Sequence, residues 1–238
     1  MADAQLIGSA GSTNTGTAVS GAGSSTGLTK FLVVIRAFTN TSFDSIGGTL
    51  TDSNSNSYTQ IGSTQYGGGG DIALSMYLCE SGTGSASHTA QMVFGITPFS
   101  ATIDLLAITG AAATSLDVHN GTNGTYANGA AISIATGALG FSSEVIVAVA
   151  GWDNDTLFSN WTSATMTVLE QSPGGTTSSG VPMDGAVGKL VVSSSGSTTI
   201  DLTTPNFSVS SHGGAIFFAT FKDASAGGSS PPIGMIWI

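Results

Sequence analysis

One cysteine, four strong bases and 8% charged residues in a chain of 238 leave little for many kinds of chemistry. A lone Cys79 excludes an intramolecular disulfide and any all-cysteine metal site. Lys30, Arg36, Lys189 and Lys222 stand against 14 carboxylates, for a net charge of −10. Phosphate neutralisation needs clustered Lys and Arg, so neither nucleic acid nor an anionic membrane surface is an expected partner. No apolar run approaches the roughly 18 residues of a membrane span, so membrane insertion is not expected. The opening Met1-Ala2-Asp3-Ala4-Gln5 lacks the basic and apolar regions of a signal peptide. The expectation drawn from it is synthesis in a bacterial cytoplasm and release by lysis.

What the chain does have is short apolar runs separated by Gly, Ser, Thr and Asn. Lys30–Phe38 (KFLVVIRAF) is a nearly continuous apolar, β-branched run, the pattern of a buried strand. Asp71–Cys79 alternates, with Ile72, Leu74, Met76 and Leu78 on one face and Ala73, Ser75, Tyr77 and Cys79 on the other. Glu144–Trp152 sets Val145, Val147 and Val149 against Ile146, Ala148 and Ala150. Thr89–Phe94, Ala101–Thr109, Thr162–Leu169, Ala186–Ser193, Thr198–Leu202 and Ile216–Lys222 complete the strand candidates, and the turn residues between them supply positive φ and side-chain caps. The fold class is all-β: an antiparallel, jelly-roll-like β-sandwich of two sheets in a single domain. Its expected limits are a low-complexity arm over 1–27, the sandwich over 28–223, and a linker with an apolar tail over 224–238. No repeat of fixed period is evident.

Candidate site residues concentrate in GWDNDTLFSNW. Asp153 and Asp155 form an Asp-x-Asp turn that could supply oxygens to calcium, which wants six to eight of them; the alternative is an Asx turn capping backbone amides. Trp152, Phe158 and Trp161 bracket that turn and are the candidate glycan-stacking residues; the alternative is that they fill the core. Asp52-Ser53-Asn54-Ser55-Asn56 begins like an EF-hand loop but lacks glycine at the sixth position (Ser57) and glutamate at the twelfth (Ser63), so a hairpin turn is expected. His88, His119 and His212 share no metal-ligand spacing, and loop or strand-edge positions are expected for them. Glu80, Asp104, Glu144 and Glu170 fall near strand ends, yet nothing marks two of them as a glycosidase pair. No Gly-x-Ser-x-Gly turn is present. Enzymatic activity is therefore not expected. Ile233, Met235, Ile236, Trp237 and Ile238 form an apolar end that needs cover, either as a strand of its own sheet or in another subunit.

TDSNSNSYTQIGSTQ, DIALSMYLCESGTGSASHTAQMVFG, IDLLAITGAAATSLDV and EVIVAVAGWDNDT together resemble β-sandwich proteins of tailed bacteriophages and bacterial surfaces. PPIGMIWI is similar to the opening of some phage tail-collar segments. The resemblance implies a non-catalytic virion protein of the decoration, head-fibre or tail-associated kind, assembled as a homo-oligomer with other virion proteins. The alternatives are a carbohydrate-binding module or adhesin, with calcium as its only candidate cofactor, and a lectin-fold glycan hydrolase or lyase.

Overall fold

A strand that is apolar on both faces needs cover on both, and two such strands dictate how this molecule is layered. The computed structural model describes residues 1–13, 15–39, 47–67, 72–127, 130–152, 166–173, 184–193, 195–203 and 211–225. These residues contain strands and no helix. The first half carries β1 (Asp3–Thr13), β2 (Thr17–Val19), β3 (Phe31–Phe38), β4 (Gly48–Asp52), β5 (Thr59–Gln60), β6 (Gln65–Tyr66), β7 (Ile72–Cys79), β8 (Ala90–Phe94) and β9 (Ser100–Thr109). The second carries β10 (Ala111–Ala127), β11 (Ala131–Ala135), β12 (Glu144–Trp152), β13 (Thr167–Pro173), β14 (Asp184–Val192), β15 (Thr199–Thr203) and β16 (Ser211–Asp223).

The all-β, sandwich-like reading holds, but among the described residues the two expected sheets are four. Two large antiparallel sheets, β1-β9-β3-β7-β5 (with β6 also on β7) and β10-β16-β12-β14-β13, pack face to face. Leu32, Val34, Leu74, Met76 and Leu106 of the first meet Val145, Val147, Val149, Phe217 and Phe221 of the second in the central core. The opposite face of the first sheet, with Phe31, Val33, Ile35 and Ile103, is covered by the small sheet β2-β8-β4 through Ala18, Met92 and Phe94. The opposite face of the second, with Ile146, Ala148, Trp152 and Phe218, is covered by β11-β15 through Ile132, Ile134 and Ile200. Every residue of β3 and of β12 is therefore buried. Residues 3–13 pair with β9 from Asp3↔Thr109 to Thr13↔Ser100, and Thr17–Val19 pair with β8.

The two halves repeat one topology. β1, β9, β3, β7 and β5 occupy in their sheet the places of β10, β16, β12, β14 and β13 in the other, and β2-β8 corresponds to β11-β15. Small contacts repeat as well. The Ser25 N–H donates to the Ser85 carbonyl at 2.8 Å, and the Ser85 N–H returns to Ser25 Oγ at 3.0 Å. The Thr136 N–H donates to the Thr198 carbonyl at 2.8 Å, and the Thr198 N–H returns to Thr136 Oγ1 at 3.0 Å. Each half also sends a lysine to the first strand of the other: Lys189 Nζ donates to the Ala4 carbonyl at 2.9 Å, Lys30 Nζ to the Ala113 carbonyl at 2.6 Å. One residue, Gly110, joins the halves with φ +63, and a side chain there would strike the Met1 carbonyl. A duplication is thus visible in strand order and contacts where no sequence period shows it.

Candidate functional site

The sequence candidates divide between the core and the residues beyond description. Trp152 is fully buried in the second half's own core, edge-on to Tyr126 at 5.5 Å, so its ring offers no face to a sugar. Asp153, Asp155, Phe158, Trp161, Ile233, Met235, Ile236, Trp237 and Ile238 lie outside the described residues. Among the described residues no three His, Cys, Asp or Glu side chains come together as a metal-binding group. Cys79 is a buried free thiol in the first half's core, and burial pushes its pKa up.

His88 is a correction. Expected at an exposed edge, it is fully buried between Asp52 and Ser25. Its Nε2 lies 2.8 Å from Asp52 Oδ2 and its Nδ1 2.8 Å from Ser25 Oγ. The residue types are those of a nucleophilic triad, but the environment is that of a structural network. Ser25 is itself buried, and its Oγ accepts the Ser85 N–H. A neutral imidazole that donates from Nε2 to Asp52 and accepts from Ser25 at Nδ1 satisfies the whole chain. Asp52 also accepts the N–H groups of Asn54 at 3.0 Å and Asn56 at 2.9 Å, the Asn56 amide at 2.7 Å and the Tyr58 hydroxyl at 2.9 Å. Burial works to raise its pKa, yet hydrogen bonds from the Asn56 backbone, His88, the Asn56 amide and Tyr58 outweigh it and hold the carboxyl below its ordinary range. The EF-hand-like stretch is thus an Asx turn whose acidic oxygens are occupied by N–H and O–H donors, with Ser55 at φ 58.

Arg36 points from β3 into the central core. Its guanidinium donates to Asp104 of β9 at 3.2 Å and, more closely, to Glu170 of β13, so it ties the two large sheets together. Arg36 and Asp104 are fully buried, and Ser9 donates to Asp104 at 2.5 Å. Gly185 of β14 clears the space the Arg36 side chain needs. Burial, with the Glu170 charge adding to it, pushes Asp104 up to about 6 although Arg36 pulls the other way. One cation shared by two carboxyls inside a protein favours keeping a proton on the group.

The open feature is a groove where the edge of the first sheet meets β10. The β10–β16 ladder shifts register between Ala111 and Leu116, and this bulged stretch is pinned to the first sheet instead. Lys30 Nζ donates to Glu80 Oε2 at 2.7 Å, to the Glu80 carbonyl at 2.8 Å and to Ala113. Glu80 Oε1 accepts the N–H groups of Ser115 and Leu116, and Oε2 also accepts the Ser115 hydroxyl. Burial acts to raise the Glu80 pKa, but Lys30 and Ser115 prevail and hold it below its ordinary range. The groove encloses about 500 Å³ and is lined by Ser57, Thr59, Gln60, Ile61, Leu78, Glu80, Thr114 and Leu116. Each Glu80 oxygen already accepts two hydrogen bonds, so this carboxylate is a wall and not a proton donor.

Glu144 is buried at the start of β12, where Oε1 accepts the Phe141 N–H at 3.2 Å. Burial and the neighbouring Asp117 push it up to about 7. Asp117 accepts the Gly140 N–H at 2.8 Å, and Lys222 lies 5.0 Å over the Phe141 ring. A consequence for stability follows from the signs. Asp104 and Glu144 hold protons more tightly in the folded protein, so their contribution fades as pH rises through about 6 and about 7. Asp52 and Glu80 are held low, so theirs fades as pH falls below the ordinary carboxylate range. Thermal melts should therefore give the highest Tm near about pH 4, lower by several degrees at about pH 8 and falling again towards about pH 2. Glu144→Gln should flatten the alkaline limb, and a Tm that rises steadily to pH 8 would contradict the assignment.

Of these groups the sequence placed Glu80, Asp104, Glu144 and Glu170 near strand ends without partners; Glu80 follows β7 and Glu144 opens β12, but Asp104 and Glu170 lie inside β9 and β13. Asp52 and His88 were noticed only separately, as a turn and as a lone histidine, and Ser25 left no local signal; the end of β4 and two separate loop segments bring the three together. The chain matches no family model, no curated protein and no solved structure.

Proposed function

We propose that this chain is a non-enzymatic structural protein on the outside of a phage particle, of the decoration, head-fibre or tail-associated kind. It would act by self-association and attachment to other virion proteins. The observation that carries the reading is that, among the described residues, the side-chain clusters that most resemble catalytic groups are engaged in holding the fold. The Ser25–His88–Asp52 chain is sealed, Arg36 is locked between two buried carboxyls, and Glu80 has no free acceptor. Ion pairs that tie layers and halves together suit a particle component that must resist unfolding. The sparse charge leaves a surface of hydroxyls and amides for contact.

Sedimentation equilibrium of the purified chain tests it, followed by binding to purified capsid and tail fractions. A stable oligomer, trimeric in the simplest case, or saturable attachment to a particle fraction is expected. Deletion of residues 231–238, the apolar end, should weaken that association by about tenfold or more. A monomer with no affinity for either fraction would overturn the reading.

A further inference from the structure

We infer that the groove beside Glu80 is a binding site for a neutral saccharide. The first argument is the way the groove is made. β1 follows β9 residue by residue from Asp3↔Thr109 to Leu6↔Leu106 and then skips a single residue before Gly8↔Leu105, whereas β10, its counterpart, leaves β16 over the longer stretch between Ala111 and Leu116. The repeated topology therefore has a continuous alternative at this place, and the second half gives up ladder hydrogen bonds to depart from it. Lys30, Glu80 and the Ser115 hydroxyl then fix the displaced stretch against the other half as one wall of the groove. A bulge held rigidly by side chains from a different sheet is a built feature of the kind found beside binding sites.

The second argument is chemical complementarity. Ile61 and Leu78 are buried and, with Leu116, form an apolar floor, while Ser57, Thr59, Gln60 and Thr114 stand exposed with hydroxyl and amide groups. A pyranose has the matching halves: a C–H face for the floor and an edge of hydroxyls for the rim. A wholly apolar ligand would strand the rim without partners. An anionic sugar would meet the ionised Glu80, and Lys30 is already spent on Glu80 and Ala113. A cation would find both Glu80 oxygens occupied. A volume of about 500 Å³ lies within the range of about 300–1,000 Å³ usual for small-molecule sites. With both Glu80 oxygens engaged by Lys30, Ser115 and Leu116 and no second carboxylate among the described residues lining it, the groove holds the sugar and does not cleave it.

The test is a titration of the isotope-labelled full chain, followed by backbone amide spectra. The probes are methyl glycosides of glucose, galactose, mannose and rhamnose, N-acetylglucosamine, and glucuronic acid as the anionic control. At least one neutral probe should shift the amides of Thr59, Gln60, Glu80 and Thr114, with Kd of about 0.1–10 mM. Thr59→Trp and Thr114→Trp, both on the exposed rim and each checked for a parent-like urea transition, should each weaken it about tenfold or more. Thr49→Trp, exposed on the small outer sheet, should leave it unchanged. The inference is overturned if no neutral probe shifts these amides at about 20 mM, if the shifts map elsewhere, or if glucuronic acid binds as well. Sedimentation equilibrium of the same rim variants is run beside the titration, so loss of sugar binding and loss of self-association are read separately.

Discussion

Arg36→Ala should cost the folded state about 3–5 kcal/mol, the penalty for removing one member of a buried ionic cluster. Against a total stability of about 5–15 kcal/mol for a domain, that is enough to leave much of the protein unfolded on mild heating. The loss comes less from the vanished ion pairs than from Asp104 and Glu170, left in the central core without their cation. The deficit should depend on pH in a defined direction. Asp104 already titrates at about 6, so acid neutralises the stranded carboxyl at little cost. Urea denaturation should show a much smaller gap between Arg36→Ala and the parent at about pH 4.5 than at about pH 8. The combination Arg36→Met, Asp104→Asn, Glu170→Gln removes all three charges and should recover most of the stability. A gap that stays constant with pH would mean the cluster is not electrostatically engaged.

Trp152→Ala should cost about 3–5 kcal/mol, the usual loss on truncating a large buried aromatic. Among the described residues Trp152 is the largest fully buried side chain, and its ring lies on the backbone of Gly214 in β16. Gly214→Ala attacks the same contact from below: a Cβ there would overlap the indole ring, so either β16 shifts or the ring leaves its place. Overpacking of this kind typically costs about 1–3 kcal/mol. Both variants should unfold at lower urea concentration with unchanged steepness. Near-parent stability for Trp152→Ala would place the ring outside the core and return it to candidacy as a sugar-stacking residue.

Much of the fold is legible in strands whose two faces differ or are both apolar. KFLVVIRAF announces β3, and the alternation over Ile72–Cys79 sorts side chains between the central core and the first half's own core, as found. β10 shows the opposite. Its sequence, AAATSLDVHNGTNGTYA, is rich in Asn, Gly and Thr and reads as a loop. It is a strand because it lies along β16 for most of its length, a tertiary cause that local propensity does not carry. The duplication is hidden for a related reason. β3 and β12 share a position and a burial pattern, but Ile35 and Ala37 line one core where Ala150 and Trp152 line the other. Topology survives such exchanges of large and small side chains, and residue identity does not. The polar networks were the least legible part, since Ser25, Asp52 and His88 meet only after three segments have folded.

The single-residue joint at Gly110 has a meaning for synthesis. The first half leaves the ribosome before the second, carrying its small outer sheet but with Leu32, Val34, Leu74, Met76 and Leu106 still uncovered. Until its own second half emerges, that face is complementary to the second half of any neighbouring chain. Two chains that trade halves would rebuild the same central core, the same lysine crossings and the same Arg36 cluster, with only the hinge at Gly110 changed. Crowded translation on one messenger therefore offers this protein a route to intertwined dimers that needs no surface beyond the one already inside it.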